Sequence, residues 1–215
     1  MRRVLVCNSF AMCMLVIASC LLSSTLFVSC LFVKPPDQKT EVSNAPLSPM
    51  PEIEMSDELV RSASGDMIAL LPKGWLFLDS RSEQSSEVVA IAVNPEYTLS
   101  AVFSALPGEA PKEQLEKEGL LGLSRAAYNK HVRKTAGTAK LIGTYSLAEL
   151  GPRKFGLYDF SSSSTAPRTR CAVFTSATGN HYEFALVPLT VTGKDLPPDA
   201  DILKVFRSIV ATIQY

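Results

Sequence analysis

Two histidines, one cysteine and many serines are the groups of residues 59–215 that could do nucleophilic or metal chemistry. A zinc site usually needs three or four His, Cys or acidic ligands, often closely spaced on one element. His131 and His181 stand 50 positions apart, and neither has a second ligand at such spacing. No metal ligand set is assigned on this basis. Serines are abundant, but no G-x-S-x-G elbow occurs. A Ser-His-acid triad is defined by geometry, so a hydrolase using His131 or His181 stays open as the alternative reading. Cys171 falls in a predicted strand beside Arg170. A nucleophilic thiol needs a base and an electropositive setting, and adjacent strand residues point to opposite faces. Cys171 therefore reads as a small core residue. "TAGTAK" (Thr135–Lys140) lacks the G-x-x-x-x-G-K-[ST] phosphate loop. Glu113, Glu116 and Glu118 read as a solvated helix start. No catalytic residue and no cofactor is assigned, and the domain reads as non-catalytic.

The elements that would carry these residues follow from periodicity. "MIALLPKGWLFLD" predicts a strand, a turn at Pro72–Gly74 and a second apolar stretch around Trp75. Val88–Val93 and Thr98–Leu106 predict a hairpin around Asn94-Pro95-Glu96. One long middle helix is predicted next, opened by Pro111 and ended near Gly137. Its acids come early and its bases (Lys130, Arg133, Lys134) come late, as the helix dipole favours. Leu120, Leu123, Ala127 and His131 share a stripe. Strands are predicted at Lys140–Leu147, Lys154–Phe160, Arg170–Ser176 and His181–Val187, the last two joined by the turn "ATGN". Their alternation predicts one aromatic and aliphatic face and one polar face. After Pro197-Pro198, with Asp199 or Asp201 as cap, Ile202, Val205, Phe206, Ile209 and Ile213 recur on one side of a final helix. Strands, helix, strands, helix is the order of an α+β fold, an antiparallel sheet packed against a long middle helix and a C-terminal helix.

The N-terminal third has a different grammar. Arg2 and Arg3 precede a run from Val4 to Val33 with no charged residue. A positive start and an apolar run form an export signal, and this run is long enough to span a bilayer. It resembles a bacterial lipoprotein signal. "IASC" (Ile17–Cys20) matches the lipobox, an aliphatic residue and two small ones before a cysteine, and "FVSC" (Phe27–Cys30) is a second match. The resemblance implies cleavage and lipidation at Cys20, or alternatively at Cys30. An uncleaved anchor is the competing reading. Residues 1–33 are thus signal peptide or membrane anchor. Residues 34–58, with Pro35, Pro36, Pro46, Pro49 and Pro51, are a proline-rich tether. Residues 59–215 are one α+β domain, a size suited to a single core. The expected location is the cell membrane, lipid-anchored on its extracytoplasmic side.

The chain holds 21 basic and 21 acidic residues, and without Arg2 and Arg3 the balance is 19 to 21. That argues against a nucleic-acid partner, which favours a strong basic excess. "LLPKGW" (Leu70–Trp75), the hairpin after it and the closing "ILKVFRSIVATIQ" with Phe206 resemble the PsbP-like superfold over residues 60–215. That fold includes photosystem extrinsic proteins, a nuclear Ran-binding factor and DcrB-like bacterial lipoproteins. The resemblance implies a non-enzymatic protein that binds a protein partner or assists assembly at the envelope. It transfers no functional residue. The carrier of a small hydrophobic ligand is a further alternative.

Overall fold

The computed structural model describes residues 47–78, 87–108, 112–190 and 193–215. Cys20, Cys30 and Pro111 lie outside them. Two strands, β1 (Met55–Arg61) and β2 (Ile68–Pro72), form an antiparallel ribbon. Seven more form the main sheet: β3 (Leu76–Leu78), β4 (Val88–Val93), β5 (Leu99–Ala105), β6 (Lys140–Leu150), β7 (Arg153–Ser161), β8 (Thr169–Thr175) and β9 (His181–Pro188). Their order is β3-β4-β5-β9-β8-β7-β6, antiparallel throughout. Helices α1 (Lys112–Glu118) and α2 (Leu120–Lys134) come between β5 and β6, and α3 (Asp199–Thr212) follows β9.

Both faces of the sheet are buried, which corrects the expectation of one polar face. Phe155, Ala172, Phe174, Tyr182, Phe184 and Leu186 join Ile202, Phe206 and Ile209 of α3 and Val60 and Leu71 of the ribbon in one core. Tyr158, Phe160, Cys171 and Val173 join Leu123 and Ala127 of α2 in a second. The two sets alternate along β7 and β8, as a pleated strand requires. The central strands are sandwiched between helical layers, so polar residues that alternation assigns to solvent, Glu183 above all, are enclosed.

Three further differences have local causes. β1 begins at Met55, so residues 55–58, read as tether, are strand. The segment before it also touches the domain: Leu47 packs on the core, and the Glu52 N–H donates to Ser208 Oγ at 2.9 Å. Only Val60 of β1 is buried, which leaves almost no apolar alternation to read. The middle helical stretch is divided at Gly119, whose φ of +56° is a left-handed conformation suited to glycine. No side chain caps α3, whose N-cap is Pro198. Asp199 instead accepts two hydrogen bonds from Arg170 Nη2, both at 2.8 Å, and Arg170 Nη1 donates to Asp159 at 2.9 Å. At the other end of α3, Arg153 Nη1 donates to the carbonyls of Ala211 and Ile213. Those carbonyls are among the groups a helix end leaves unpaired. No helix among the described residues is long and apolar enough to cross a membrane.

Candidate functional site

The strongest concentration of reactive side chains lies between α2 and the sheet. His131 comes from the last turn of α2, Tyr158 from β7, Cys171 from β8 and Glu183 from β9. His131 Nε2 lies 3.0 and 3.2 Å from the two Glu183 carboxylate oxygens, and the Tyr158 hydroxyl donates to Glu183 Oε1. The Cys171 sulfur, the Glu183 carboxylate and a His131 ring nitrogen all lie within 4.8 Å of one another. Phe160 stacks on the His131 ring at 4.4 Å and fixes its plane. Cys171, Tyr158 and Glu183 are buried, whereas the His131 side chain keeps 22% of its exposure.

Burial sets the electrostatics of this cluster. It pushes up the Cys171 thiol, and the Glu183 charge pushes the same way. Burial also raises the Tyr158 hydroxyl, and Cys171 and Glu183 add to that. For Glu183, burial favours the neutral acid, but His131, the Tyr158 hydroxyl and the Lys130 charge outweigh it and hold the carboxyl below its ordinary value. Cys, His and acid together are the parts of a thiol nucleophile. Here the thiol is buried and its proton is held tightly, and His131 Nε2 faces Glu183, which is not the setting of an activated nucleophile.

His131 and His181 are not brought together. His181 Nδ1 lies 2.9 Å from Thr175 Oγ1, and burial lowers its proton affinity. It borders an open cleft of about 690 Å³ lined by Val88, Val89, Leu106, Pro107 and Leu115, with Arg61 on the same wall. The serine hydroxyls of that cleft are engaged by Asp66. Its Oδ1 accepts from Ser62 at 2.8 Å, Ser64 at 2.5 Å and Tyr182 at 2.7 Å. Its Oδ2 accepts from Ser176 at 2.6 Å, from Thr178, and from Asn180 Nδ2 at 2.8 Å. One carboxylate therefore ties the β1–β2 turn to the β8–β9 turn. Burial raises its proton affinity, but the hydroxyl donors prevail and hold the carboxyl far below the usual carboxylate range.

Asp66 and Glu183 set an acid limit on stability. Both have folded values below their unfolded values of about 3.9 and 4.3. The stability they contribute is complete above those unfolded values and is lost as pH falls towards the folded ones. The melting temperature should fall below about pH 4. Asp66→Asn should lower it at pH 7 and flatten its decline in acid. An unchanged acid slope in that variant would show that Asp66 carries none of the linkage.

A second kind of site lies at the β3 end of the sheet. Leu76, Phe77 and Leu78 are consecutive and remain 47%, 40% and 46% exposed. Tyr97 is 44% exposed and holds φ +56°, a conformation that a Tyr side chain rarely adopts. The Asn94–Tyr97 turn enforces it: the Tyr97 N–H donates to Asn94 O at 2.9 Å, and Asn94 Oδ1 accepts from the Thr98 and Leu99 N–H groups, both at 2.8 Å. The turn at Gly74 packs beside it, since a side chain there would meet Pro95 at 3.8 Å. The apolar stretch around Trp75 was predicted; its exposure was not. Three apolar residues in a row without alternation, just after a turn glycine, are the sequence signal.

The sequence matches no family model and no curated protein. Solved structures do match it. The cyanobacterial PsbP (CyanoP) of Synechocystis sp. PCC 6803 is similar with a TM-score of 0.52 at 14% identity, over 74% of this chain and 92% of that one. The chain has a PsbP-like fold. The Ran-binding protein Mog1p of Saccharomyces cerevisiae aligns with a TM-score of 0.46 at 12% identity, over 75% of this chain and 96% of that one. Within the PsbP-like domain, the residues singled out from the sequence separate. His131 and Cys171 converge, Arg170 leaves Cys171 for the opposite face, and His181 stands at the cleft. Glu183 and Tyr158 were missed as functional candidates, because in a strand read as half-solvated they look like ordinary surface and core positions.

Proposed function

We propose that this protein is a lipoprotein, anchored at the extracytoplasmic side of the cell membrane, whose PsbP-like domain docks a protein partner and catalyses nothing. The observation that carries the docking reading is the exposed run Leu76-Phe77-Leu78 beside the strained, exposed Tyr97. Consecutive apolar residues on an end strand offer both apolar surface and unpaired backbone groups to a partner, and the turn that sets the Tyr97 backbone adds an exposed aromatic ring beside them. "IASC" behind Arg2-Arg3 supports the anchor. A single acyl chain holds a protein only marginally, and a diacylated cysteine meets the need for two.

The test has two arms. Radiolabelled palmitate should enter the protein, and Cys20→Ala should abolish the labelling. Labelling lost only in Cys30→Ala would move the site, and labelling indifferent to both would replace the lipoprotein with an uncleaved anchor. For docking, a photo-crosslinker at position 77 should trap one defined envelope protein in cells. Tyr97→Ser should weaken that adduct at least tenfold while leaving the melting temperature unchanged or raised. No adduct from position 77 would remove the docking reading. The apolar cleft under Leu115 supports a carrier as the second reading. Saturable uptake of an apolar fluorophore, blocked by Leu115→Glu, would favour it.

A further inference from the structure

We propose that His131, Cys171 and Glu183 form a binding site for a divalent transition-metal ion, zinc by donor type. The three donors come from α2, β8 and β9, and their ligating atoms lie within 4.8 Å of one another. Tetrahedral zinc with bonds of about 2.0–2.3 Å sets its donors roughly 3.4–3.6 Å apart. His131 Nε2 stands 3.0 and 3.2 Å from the two carboxylate oxygens of Glu183, so this pair needs a change of only a few tenths of an ångström. The Tyr158 hydroxyl donates to Glu183 Oε1 and orients the carboxylate, as partners of metal-binding carboxylates do.

Two physical arguments favour metal over a network of hydrogen bonds alone. The first is the choice of a thiol, which reaches Glu183 and the Tyr158 hydroxyl only through weak hydrogen bonds. Glu183 already accepts from His131 and Tyr158, yet the third group beside it is a sulfur, a strong ligand for zinc and a weak hydrogen-bond donor. The second is charge. Zinc, a thiolate and a carboxylate sum to zero, whereas a buried carboxylate otherwise depends on nearby cations. The charge of the adjacent Lys130 is offset by Glu87, whose carboxylate stands 2.8 Å from its ammonium. Binding is a substitution without electron transfer. Nε2, Sγ and a Glu183 oxygen each give a lone pair to the ion; the Sγ proton leaves to water, and the imidazole stays neutral with its one proton moved through water to Nδ1. The part-exposed His131 ring at the end of α2 is the way in.

The test is titration of the purified full chain with cobalt(II) and then zinc. One equivalent of cobalt should bind with a thiolate-to-metal charge-transfer band in the near ultraviolet, and zinc should displace it. Zinc should also raise the melting temperature, and a chelator should reverse the rise. Cys171→Ala should lose the band, and Glu183→Gln should weaken zinc binding about 100-fold, while His181→Gln should change neither. A band that persists in Cys171→Ala would assign the metal to the N-terminal cysteines and overturn the proposal. So would the absence of both band and thermal shift in the unaltered chain, a result that needs no folded variant.

Discussion

Phe206→Ala should lower the stability of the domain by about 3–5 kcal/mol, the usual cost of emptying a buried aromatic site. Phe206 is enclosed, and its ring stacks on Phe184 of β9 at 5.5 Å with an interplanar angle of 15°. Ile202 and Ile209 lie in the same core. A 14-residue helix is marginal by itself in water, so α3 depends on this face. For a domain whose total stability falls within about 5–15 kcal/mol, the loss is large. Lys204 on the exposed side of the same helix is the control, and Lys204→Ala should shift the melting temperature by less than a degree or two. A Phe206→Ala protein that melts with the unaltered one would mean that α3 does not close the core.

Gly156→Ala should also be damaging, though less so, and for the opposite reason. Gly156 lies in β7 under α2, and a side chain there would collide with the Ser124 hydroxyl, come within 2.8 Å of the Leu120 carbonyl and reach 3.0 Å from Val173. A hydroxyl can rotate away, but a helix carbonyl cannot without moving the first turn of α2. Overpacking of this kind costs about 1–3 kcal/mol. Ser124→Ala should relieve only part of it, because the clash with the Leu120 backbone remains. Full rescue by Ser124→Ala would show that the hydroxyl alone is the obstacle.

The pattern of residues made most of the fold legible. Alternation placed β4 to β9 to within a few residues, and the one-sided periodicity of α3 placed Phe206 in the core. What escaped had weak local signals. β1 shows almost no alternation because its ribbon buries little but Val60. The break at Gly119 is a single residue inside an otherwise continuous helical pattern. The polar face expected for the sheet was a consequence of reading strands one at a time. Period 2 distinguishes two faces but does not say that a second helical layer covers the other one. The candidate site was hidden for the same reason. His131, Tyr158, Cys171 and Glu183 are separated by 12 to 27 positions, and only the packing of α2 on three neighbouring strands unites them.

The strand order has a consequence for how the chain reaches this structure. Every pairing in the main sheet joins strands that follow one another in sequence, except β5 with β9. That contact runs from Ala105–Tyr182, 77 positions apart, to Leu99–Pro188, 89 apart. β3 to β5 and β6 to β9 can each zip up by local hairpins, which are fast, whereas closing a loop of that length is the slow, non-local event. The two hairpin stacks therefore meet at one seam. Phe103 and Phe184 stack across it at 4.9 Å, and Phe206 of the last helix stacks on Phe184. The residues that fasten the seam thus include Phe206, supplied by a helix that follows both hairpin stacks in the sequence, so the seam gains its last aromatic contact only when α3 docks.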